Sequence, residues 1–206
     1  KRIYRIMRIN HLLLPRYTQK PVRTHDGVII TLKSTMRWCS DVFEILCFNG
    51  EKIRVIFAMD ACDREIISYI ATTGGVSSEV VKDLMVSSVE YRFGKVERLP
   101  HRIQWLCDNA PGYTSMETLS FAHMVGCDVC TTPYYSPESN GIAEAFIKTF
   151  KRDYVYMHDF PDAKTVMELL PLWFEDYNSN HPHKGLNMRS PREYRMMQNK
   201  LEGCPV

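Results

Sequence analysis

The sequence predicts an α/β fold with a five-stranded mixed sheet flanked by helices. Three apolar runs rich in Val, Ile and Phe lie between residues 37 and 69, separated by turn residues. After residue 77, segments with helical periodicity alternate with short apolar runs, a pattern that favours helices packed on a sheet. With 206 residues, of which 45% are hydrophobic, the chain is long enough to bury one sizeable core.

The first apolar runs predict three strands joined by two hairpin turns. Asn49-Gly50 and residues 60–64 supply the turns. Asp41 would lie on the first strand and point towards the centre of the sheet. Asp60 and Asp63 are rival acids, but they lie where the second strand turns into the third. We therefore interpret them as turn and capping residues.

The next part of the chain predicts helices and strands in alternation. The predicted spans are helices over 77–92, over 114–125 and from residue 138, with strands over 103–107 and 128–132. Beyond residue 156, apolar residues predict a helix over 163–178 that Pro171 interrupts or kinks. Ser190-Pro191 is typical of a helix start. The order of the central elements is therefore βββαβαβα.

Three carboxylates are the most informative residues. Asp108 ends the predicted fourth strand, Glu144 follows with thirty-five residues between them, and Asp41 stands upstream after Trp38-Cys39-Ser40. Oxygen ligands from such acids can bridge two divalent cations, as two-metal phosphodiester cleavage requires. An all-carboxylate site suits magnesium. The alternatives, a metal site at Cys127-x-x-Cys130 or at His181-Pro182-His183, lack the further ligands that would complete them.

The helix that carries Glu144 also carries a row of cations. Ile142, Phe146 and Phe150 recur at i, i+4 and i+8 and predict one apolar stripe. A second face holds Glu144, Lys148, Lys151 and Arg152. A metal ligand beside cations suits a phosphate backbone, whereas the alternative is an ordinary solvated face with a Glu–Lys pair.

These motifs resemble those of bacterial insertion-sequence transposases of the IS-three type, second reading frame, with the IS-two branch most similar. Their catalytic core is similar to that of retroviral integrases. The resemblance covers almost the whole chain. The segments that carry it are residues 37–41, 58–65, 72–75, 108–109, 136–144, 177–183 and 190–194.

The resemblance implies a ribonuclease-H-like fold and a DDE-type transposase. Asp41, Asp108 and Glu144 would be the catalytic and metal-binding triad, holding two Mg²⁺ ions for which Mn²⁺ could substitute. The residues expected to contact DNA, from the resemblance and from the basic helix face, are Tyr135, Asn140, Lys148, Lys151 and Arg152. Ala110-Pro111 departs from the family, which usually has Gly after Asp-Asn. If that position needs a positive φ, Ala110 would be strained.

The implied reaction is cleavage at transposon ends followed by transfer of the 3′ hydroxyl to another strand. The implied partners are terminal inverted-repeat DNA, target DNA, further copies of the chain in an oligomer on DNA, and a first-frame protein, OrfA, as partner or fusion. Two alternatives stay open: a catalytically inactive or truncated remnant that acts as a DNA-binding module, and a general RNase-H-like nuclease.

The chain divides into four predicted regions. Residues 1–14 resemble the end of a helix-turn-helix region, 15–36 form a basic linker, 37–160 form the catalytic core and 161–206 form a C-terminal helical extension. Residues 1–40 hold nine Lys and Arg against one acid, which predicts a phosphate-binding arm or, alternatively, a solubilising linker. No apolar stretch has membrane-span length, so we expect a bacterial cytoplasmic protein associated with the nucleoid.

Overall fold

The computed structural model describes residues 2–10, 12, 31, 33–96, 99–131 and 140–202. The strands are β1 (Arg37–Leu46), β2 (Lys52–Asp60), β3 (Ile66–Thr72), β4 (Ile103–Cys107) and β5 (Cys127–Thr131). The helices are α1 (Arg2–Ile9), α2 (Ser78–Phe93), the short α3 (Pro111–Thr114), α4 (Met116–Val125), α5 (Gly141–Asp153), α6 (Ala163–Ser179) and α7 (Pro191–Glu202). The predicted strands and the order of the central elements are confirmed.

The five strands form one mixed sheet in the order β3-β2-β1-β4-β5. β1, β2 and β3 pair antiparallel, whereas β4 runs parallel to both β1 and β5. β1 is therefore the central strand, with the hairpins on one side and the crossover strands on the other. This is the five-stranded mixed sheet that the sequence predicts.

Helices cover both faces of the sheet. On one face, Phe146 and Phe150 of α5 belong to a buried cluster with Phe43 and Phe57 of the sheet, and α6 packs into the same cluster. On the other face, α2 and α4 form a second cluster around residues that include Trp105. Because both sides of β1 are buried, any polar group on this strand has to be satisfied by specific partners.

Two helix predictions need correction. The helix predicted over 114–125 is divided, because Ser115 ends α3 and caps α4 by accepting a hydrogen bond from the Thr118 amide at 3.1 Å. The helix predicted to be interrupted at Pro171 continues through it. Pro171 is exposed, so the buried side of α6 keeps the packing that outweighs one lost backbone hydrogen bond.

The acids in the β2–β3 turn act as predicted for turn residues. Asp60 Oδ1 accepts a hydrogen bond from the Cys62 amide at 2.8 Å, and Asp63 Oδ1 accepts one from the Glu65 amide at 2.9 Å. The guanidinium of Arg92 lies 3.1 Å from Asp63 Oδ2 and 3.2 Å from Glu65 Oε2. The interpretation of Asp60 and Asp63 as structural acids is confirmed.

Helix α7 is fixed to this turn by ion pairs. Its start is a reciprocal cap, in which the Glu193 amide donates to Ser190 Oγ and the Ser190 amide donates to Glu193 Oε2. Arg195 then reaches buried Glu65 at 2.5 Å, and Arg192 reaches the same carboxylate at 3.3 Å. The buried carboxylate of Glu65 therefore ties α7 to the β2–β3 turn.

Helix α1 has no buried residue. It lies within the region, residues 1–14, that resembles the end of a helix-turn-helix region, whereas the predicted basic linker over 15–36 lies mostly outside the described residues. Within the described part of the chain, no helix combines the length and the apolar character that crossing a membrane would require.

Candidate active site

Asp41 and Asp108 lie on neighbouring parallel strands. The register of β1 and β4 pairs Trp38 with Trp105 and Cys39 with Leu106, and continuing it by two positions brings Asp41 beside Asp108. Side chains alternate along a strand, so Asp41 shares a face with Cys39, which belongs to the cluster that α5 covers. The two aspartates therefore meet on the face of the sheet that carries Glu144.

The carboxyl group of Asp41 is electrostatically perturbed. Its pKa is raised from 3.8 to about 6, with burial as the largest cause. A hydrogen bond from the Val42 amide lowers the pKa, and the negative charges of Asp108 and Glu144 raise it. That amide donates to Asp41 Oδ1 at 2.7 Å. Asp108 and Glu144 therefore each lie close enough to Asp41 for their charge to act on its carboxyl group.

Asp108 is exposed at the end of β4 and is oriented by the turn that follows. Its Oδ1 accepts a hydrogen bond from the Ala110 amide at 3.0 Å. Ala110 has φ −63° and ψ 144° and precedes Pro111 at the first position of α3. The expected strain is therefore absent, because the position uses extended backbone that any residue before proline adopts.

Glu144 is exposed in the first turn of α5, where a negative charge interacts favourably with the helix dipole. The buried side of the helix consists of Ala143, Phe146 and Phe150. This packing fixes the side of α5 that faces the sheet, and it leaves the carboxylate at the edge of the region where Asp41 and Asp108 meet.

The cations predicted along α5 have different surroundings. Lys148 is exposed. Lys151 Nζ lies 5.8 Å from the centroid of the Phe43 ring, and Arg152 makes a two-point ion pair with Asp153 at 2.5 and 2.6 Å. Lys148 therefore has the side chain best placed to meet a phosphate, whereas the charge of Arg152 is already paired.

The two remaining predicted DNA contacts precede α5. Tyr135 falls outside the described residues. Asn140 is 5% exposed, and its side-chain amide donates to the backbone carbonyl of Ser40 at 3.4 Å. Asn140 therefore joins the start of α5 to the strand that carries Asp41.

The chemistry of the acids fits a hard divalent cation. Within the described residues, no three His, Cys, Asp or Glu side chains are gathered closely enough to enclose a metal ion. Mg²⁺ is usually held by one or two carboxylates together with water and substrate phosphate, rather than by a closed protein cage. The carboxylates of Asp41, Asp108 and Glu144 are oxygen ligands of the type that such an open site uses.

Sequence reasoning missed two polar residues beside the acids. Ser40 and Tyr113 are 0% and 1% exposed, and their hydroxyl oxygens lie 2.6 Å apart. The available signal was a hydroxyl directly before Asp41 on a strand that is buried on both faces. A polar group in such a place needs a partner, but the sequence does not identify the partner.

Two family models match the chain. Both carry the description "Integrase core domain", one over residues 33–137 and the other over residues 125–191. Together they include every predicted acid of the site.

Curated proteins of Escherichia coli are similar along nearly the full chain. A protein of strain K12 named for the InsD transposase of insertion element IS2E is 50% identical over 197 residues, which are 94% of this chain and 89% of that protein. Transposase InsD for insertion element IS2A/D/F/H/I/K is also 50% identical over 197 residues. This chain spans 65% of the length of that second relative.

Solved structures share the fold at low sequence identity. A chain of the simian T-cell lymphotropic virus intasome, in complex with PP2A regulatory subunit B56 gamma, aligns with a TM-score of 0.66 at 16% identity over 91% of this chain and 65% of that chain. The catalytic core domain of BIV integrase gives 0.56 at 14% identity over 82% and 98%. The Mos1 transposase catalytic domain with Raltegravir and Mg gives 0.57 at 18% identity over 81% and 78%. These similarities identify the ribonuclease-H-like fold of integrase and transposase cores.

Proposed function

The chain belongs to the insertion-element transposases with an integrase core, and on that premise we propose that it is a DDE-type enzyme that cuts transposon ends and joins their 3′ hydroxyls to target DNA. The observation that carries the proposal is the parallel register of β1 and β4, which continues to bring Asp41 beside Asp108 on the face that α5 covers. The charges of Asp108 and Glu144 both contribute to the raised pKa of Asp41. These acids come from distant parts of the sequence, and a structural role for three mutually repelling carboxylates is difficult to justify.

In this mechanism Asp41, Asp108 and Glu144 would hold two Mg²⁺ ions, with Mn²⁺ as a substitute. When bound, such ions supply activation of the attacking oxygen and stabilisation of the leaving oxygen. Asp41 and Asp108 present neighbouring carboxylates from the sheet, and Glu144 approaches from α5. The chain thereby fixes the reacting phosphodiester in line with the incoming hydroxyl, and this orientation removes much of the entropic barrier.

The DNA would lie along α5. Lys148 contributes an exposed cation one helical turn after Glu144, and Lys151 lies a further turn along. Tyr135 and Asn140 belong to the segment just before the helix, and Arg152 adds charge once its pairing with Asp153 is relaxed by phosphate. Contacts of this kind release counterions and make the affinity depend on salt.

The partners of the reaction follow from the same proposal. We expect the chain to bind terminal inverted-repeat DNA and target DNA as a homo-oligomer that bridges both ends, with a first-frame OrfA protein as partner or fusion. Its site of action would be the bacterial cytoplasm, in association with the nucleoid. A titration followed by analytical ultracentrifugation tests the oligomer, because one DNA end should bring more than one copy of the chain into the complex.

A strand-transfer assay with labelled element-end DNA and Mg²⁺ tests the chemistry. Asp41→Asn, Asp108→Asn and Glu144→Gln should each abolish joining while leaving DNA binding close to that of the unmodified chain. Glu168→Gln is the matched control, because Glu168 is an exposed acid of α6, and it should join DNA normally. Near-normal joining by any of the first three variants would contradict the proposed triad.

The same assay separates the alternatives. A general RNase-H-like nuclease would cut RNA:DNA hybrid or unrelated duplex as readily as element ends, and an inactive DNA-binding remnant would bind ends without turnover. Backbone strain at Ala110 would have favoured the inactive alternative, but Ala110 has a relaxed extended conformation.

A further inference from the structure

Ser40 is a buried hydroxyl placed directly before Asp41 on the central strand. Its Oγ donates to the backbone carbonyl of Phe57 on β2 at 2.8 Å and lies 2.6 Å from the hydroxyl oxygen of Tyr113. The Phe57 carbonyl can only accept, and Ser40 has a single hydroxyl proton. Tyr113 must therefore be the donor in the second bond, so the orientation of both hydroxyls is determined.

Tyr113 connects this point to the segment that follows Asp108. It lies in α3, which begins three residues after Asp108, and it is 1% exposed. The link from acid to helix is short and well defined, because Asp108 Oδ1 accepts from the Ala110 amide at 3.0 Å and the Tyr113 amide donates to the Ala110 carbonyl at 3.0 Å. The bond to Ser40 thus ties the position of the Asp108 turn to β1.

Close packing around α3 reinforces the same link. A Cβ atom added at Gly112 would lie 3.3 Å from the backbone carbonyl oxygen of Val76 and 3.4 Å from Val81 Cγ2. The backbone beside Tyr113 therefore sits directly against the start of α2. Movement of α3 away from Ser40 would break this contact as well as the hydroxyl pair, so the segment after Asp108 has little freedom.

Asn140 connects Ser40 to the helix that carries Glu144. It immediately precedes α5, four residues before Glu144, and its amide donates to the Ser40 carbonyl at 3.4 Å. That carbonyl belongs to the peptide group between Ser40 and Asp41. In the described part of the chain, Asn140 Oδ1 is buried without a hydrogen-bond partner.

We propose that Ser40, Tyr113 and Asn140 form a positioning network that sets the relative placement of Asp41, Asp108 and Glu144 for divalent-cation binding. The inference rests on the proposed function, because it concerns the geometry of that site. The three acids lie on three segments far apart in sequence, and Ser40 bonds to the other two segments through its side chain and its carbonyl. Neither Ser40 nor Tyr113 needs to touch DNA or metal, because both side chains are buried in the core.

The expected loss of metal affinity can be estimated from how little displacement of their ligands metal sites tolerate. Productive sites hold their ligands to within about 0.5 Å, and residues that orient metal ligands typically change metal affinity by about 10- to 100-fold when substituted. Removing one hydroxyl from Tyr113 leaves the ring packing in place. Tyr113→Phe should therefore fold normally and weaken Mn²⁺ binding by about tenfold.

The alternative is that the hydroxyl pair only satisfies polar groups in the core. Tyr154→Phe provides the matched control, because Tyr154 is 8% exposed and its hydroxyl donates to Asp176 Oδ2 at 2.8 Å, at the far end of α5. Both variants lose one buried hydroxyl bond, so each should lower the Tm of the metal-free protein by a few degrees, about 2 to 4 °C. The proposal differs in expecting weaker metal binding in Tyr113→Phe alone.

The test is calorimetric titration of Mn²⁺ into the full chain, its Tyr113→Phe and Ser40→Ala variants, and the Tyr154→Phe control. We expect about tenfold weaker binding in the first two variants and unchanged binding in the control, with a matching rise in the Mn²⁺ concentration that half-saturates strand transfer. Binding by Tyr113→Phe equal to that of the unmodified chain would overturn the positioning role and leave the proposed function intact. Absence of Mn²⁺ uptake by the unmodified chain would overturn both.

Discussion

Asp41→Asn should make the metal-free protein more stable at neutral pH while it removes activity. The pKa of Asp41 rises from 3.8 to about 6 in the folded chain, mainly through burial. Folding therefore disfavours the ionised carboxylate by about 3 kcal/mol at most. Asn is nearly isosteric and uncharged, so we expect a gain of about 1 to 3 kcal/mol in the free energy of unfolding at pH 7.

The raised pKa of Asp41 also determines the direction in which the stability of the protein changes with pH. Between about pH 4 and pH 6 the folded protein binds more protons at Asp41 than the unfolded chain does, so the stability contributed by this group falls as the pH rises through that window and stays low above it. The Asp41→Asn variant should lack this loss. Adding Mg²⁺ should reduce the difference at pH 7, because a bound cation stabilises the ionised carboxylate of the unmodified chain.

Urea denaturation at pH 4.5 and pH 7.0, with and without Mg²⁺, measures these differences. Asp83→Asn is the control, because Asp83 is an exposed acid of α2 and its substitution should change stability little. If Asp41→Asn lowered the free energy of unfolding at pH 7, the carboxylate would be a stabilising structural group, and the argument from repulsion among the three acids would be wrong.

Further predictions concern the core and the DNA face. Glu65→Gln should cost about 3 kcal/mol in urea denaturation, because it removes the buried carboxylate charge that Arg92, Arg192 and Arg195 share. Glu175→Gln at a more exposed ion pair should cost less than about 1 kcal/mol, and equal losses would contradict this. Lys148→Ala should reduce the salt dependence of binding to element-end DNA by about one counterion. Arg152→Ala should have a smaller effect, because the charge of Arg152 is paired with Asp153. Binding measured across a salt series tests both variants, and a larger effect of Arg152→Ala would contradict the role of Lys148 as the phosphate contact. Gly112→Ala should lower the Tm measurably because its Cβ would approach a backbone oxygen at 3.3 Å, and an unchanged Tm would show that this contact relaxes freely.

Much of the fold could be predicted because local patterns and tertiary structure agree. The β4 span of residues 103–107 matches the prediction, since a short apolar run between turns has few alternative conformations. Ser77 and Ser190 were also predictable, because the residue types that cap helices have their own sequence signature. The acids Asp60 and Asp63 were assigned to a turn from their place between two strands, and their hydrogen bonds agree.

The errors arise where a single side chain, the tertiary packing or the backbone conformation overrides the pattern of the surrounding sequence. Ser115 divides a helix that periodicity alone would continue, because its side chain caps α4. Pro171 stays inside a helix, because apolar residues of α6 remain packed on the core. Strain at Ala110 was expected from comparison with glycine, although the position is extended and needs no glycine.

The acids of the candidate site could be predicted from the sequence, whereas the strand pairing and the contacts that bring them together could not. Asp41, Asp108 and Glu144 could be selected from their spacing and neighbours, yet nothing local indicates that β1 pairs with β4 in a register that brings two of them together. The contacts of Ser40 with Tyr113 and Asn140 join residues 73 and 100 positions apart. Such contacts depend on tertiary packing and leave no periodic signal in the sequence.

The most direct test of the central claim is an anomalous diffraction map from a crystal of the chain soaked in Mn²⁺. We expect anomalous peaks between the carboxylates of Asp41 and Asp108 and beside Glu144, and loss of these peaks in Asp41→Asn. Manganese bound at other residues, or no peak near these acids in a crystal that retains the fold, would contradict it.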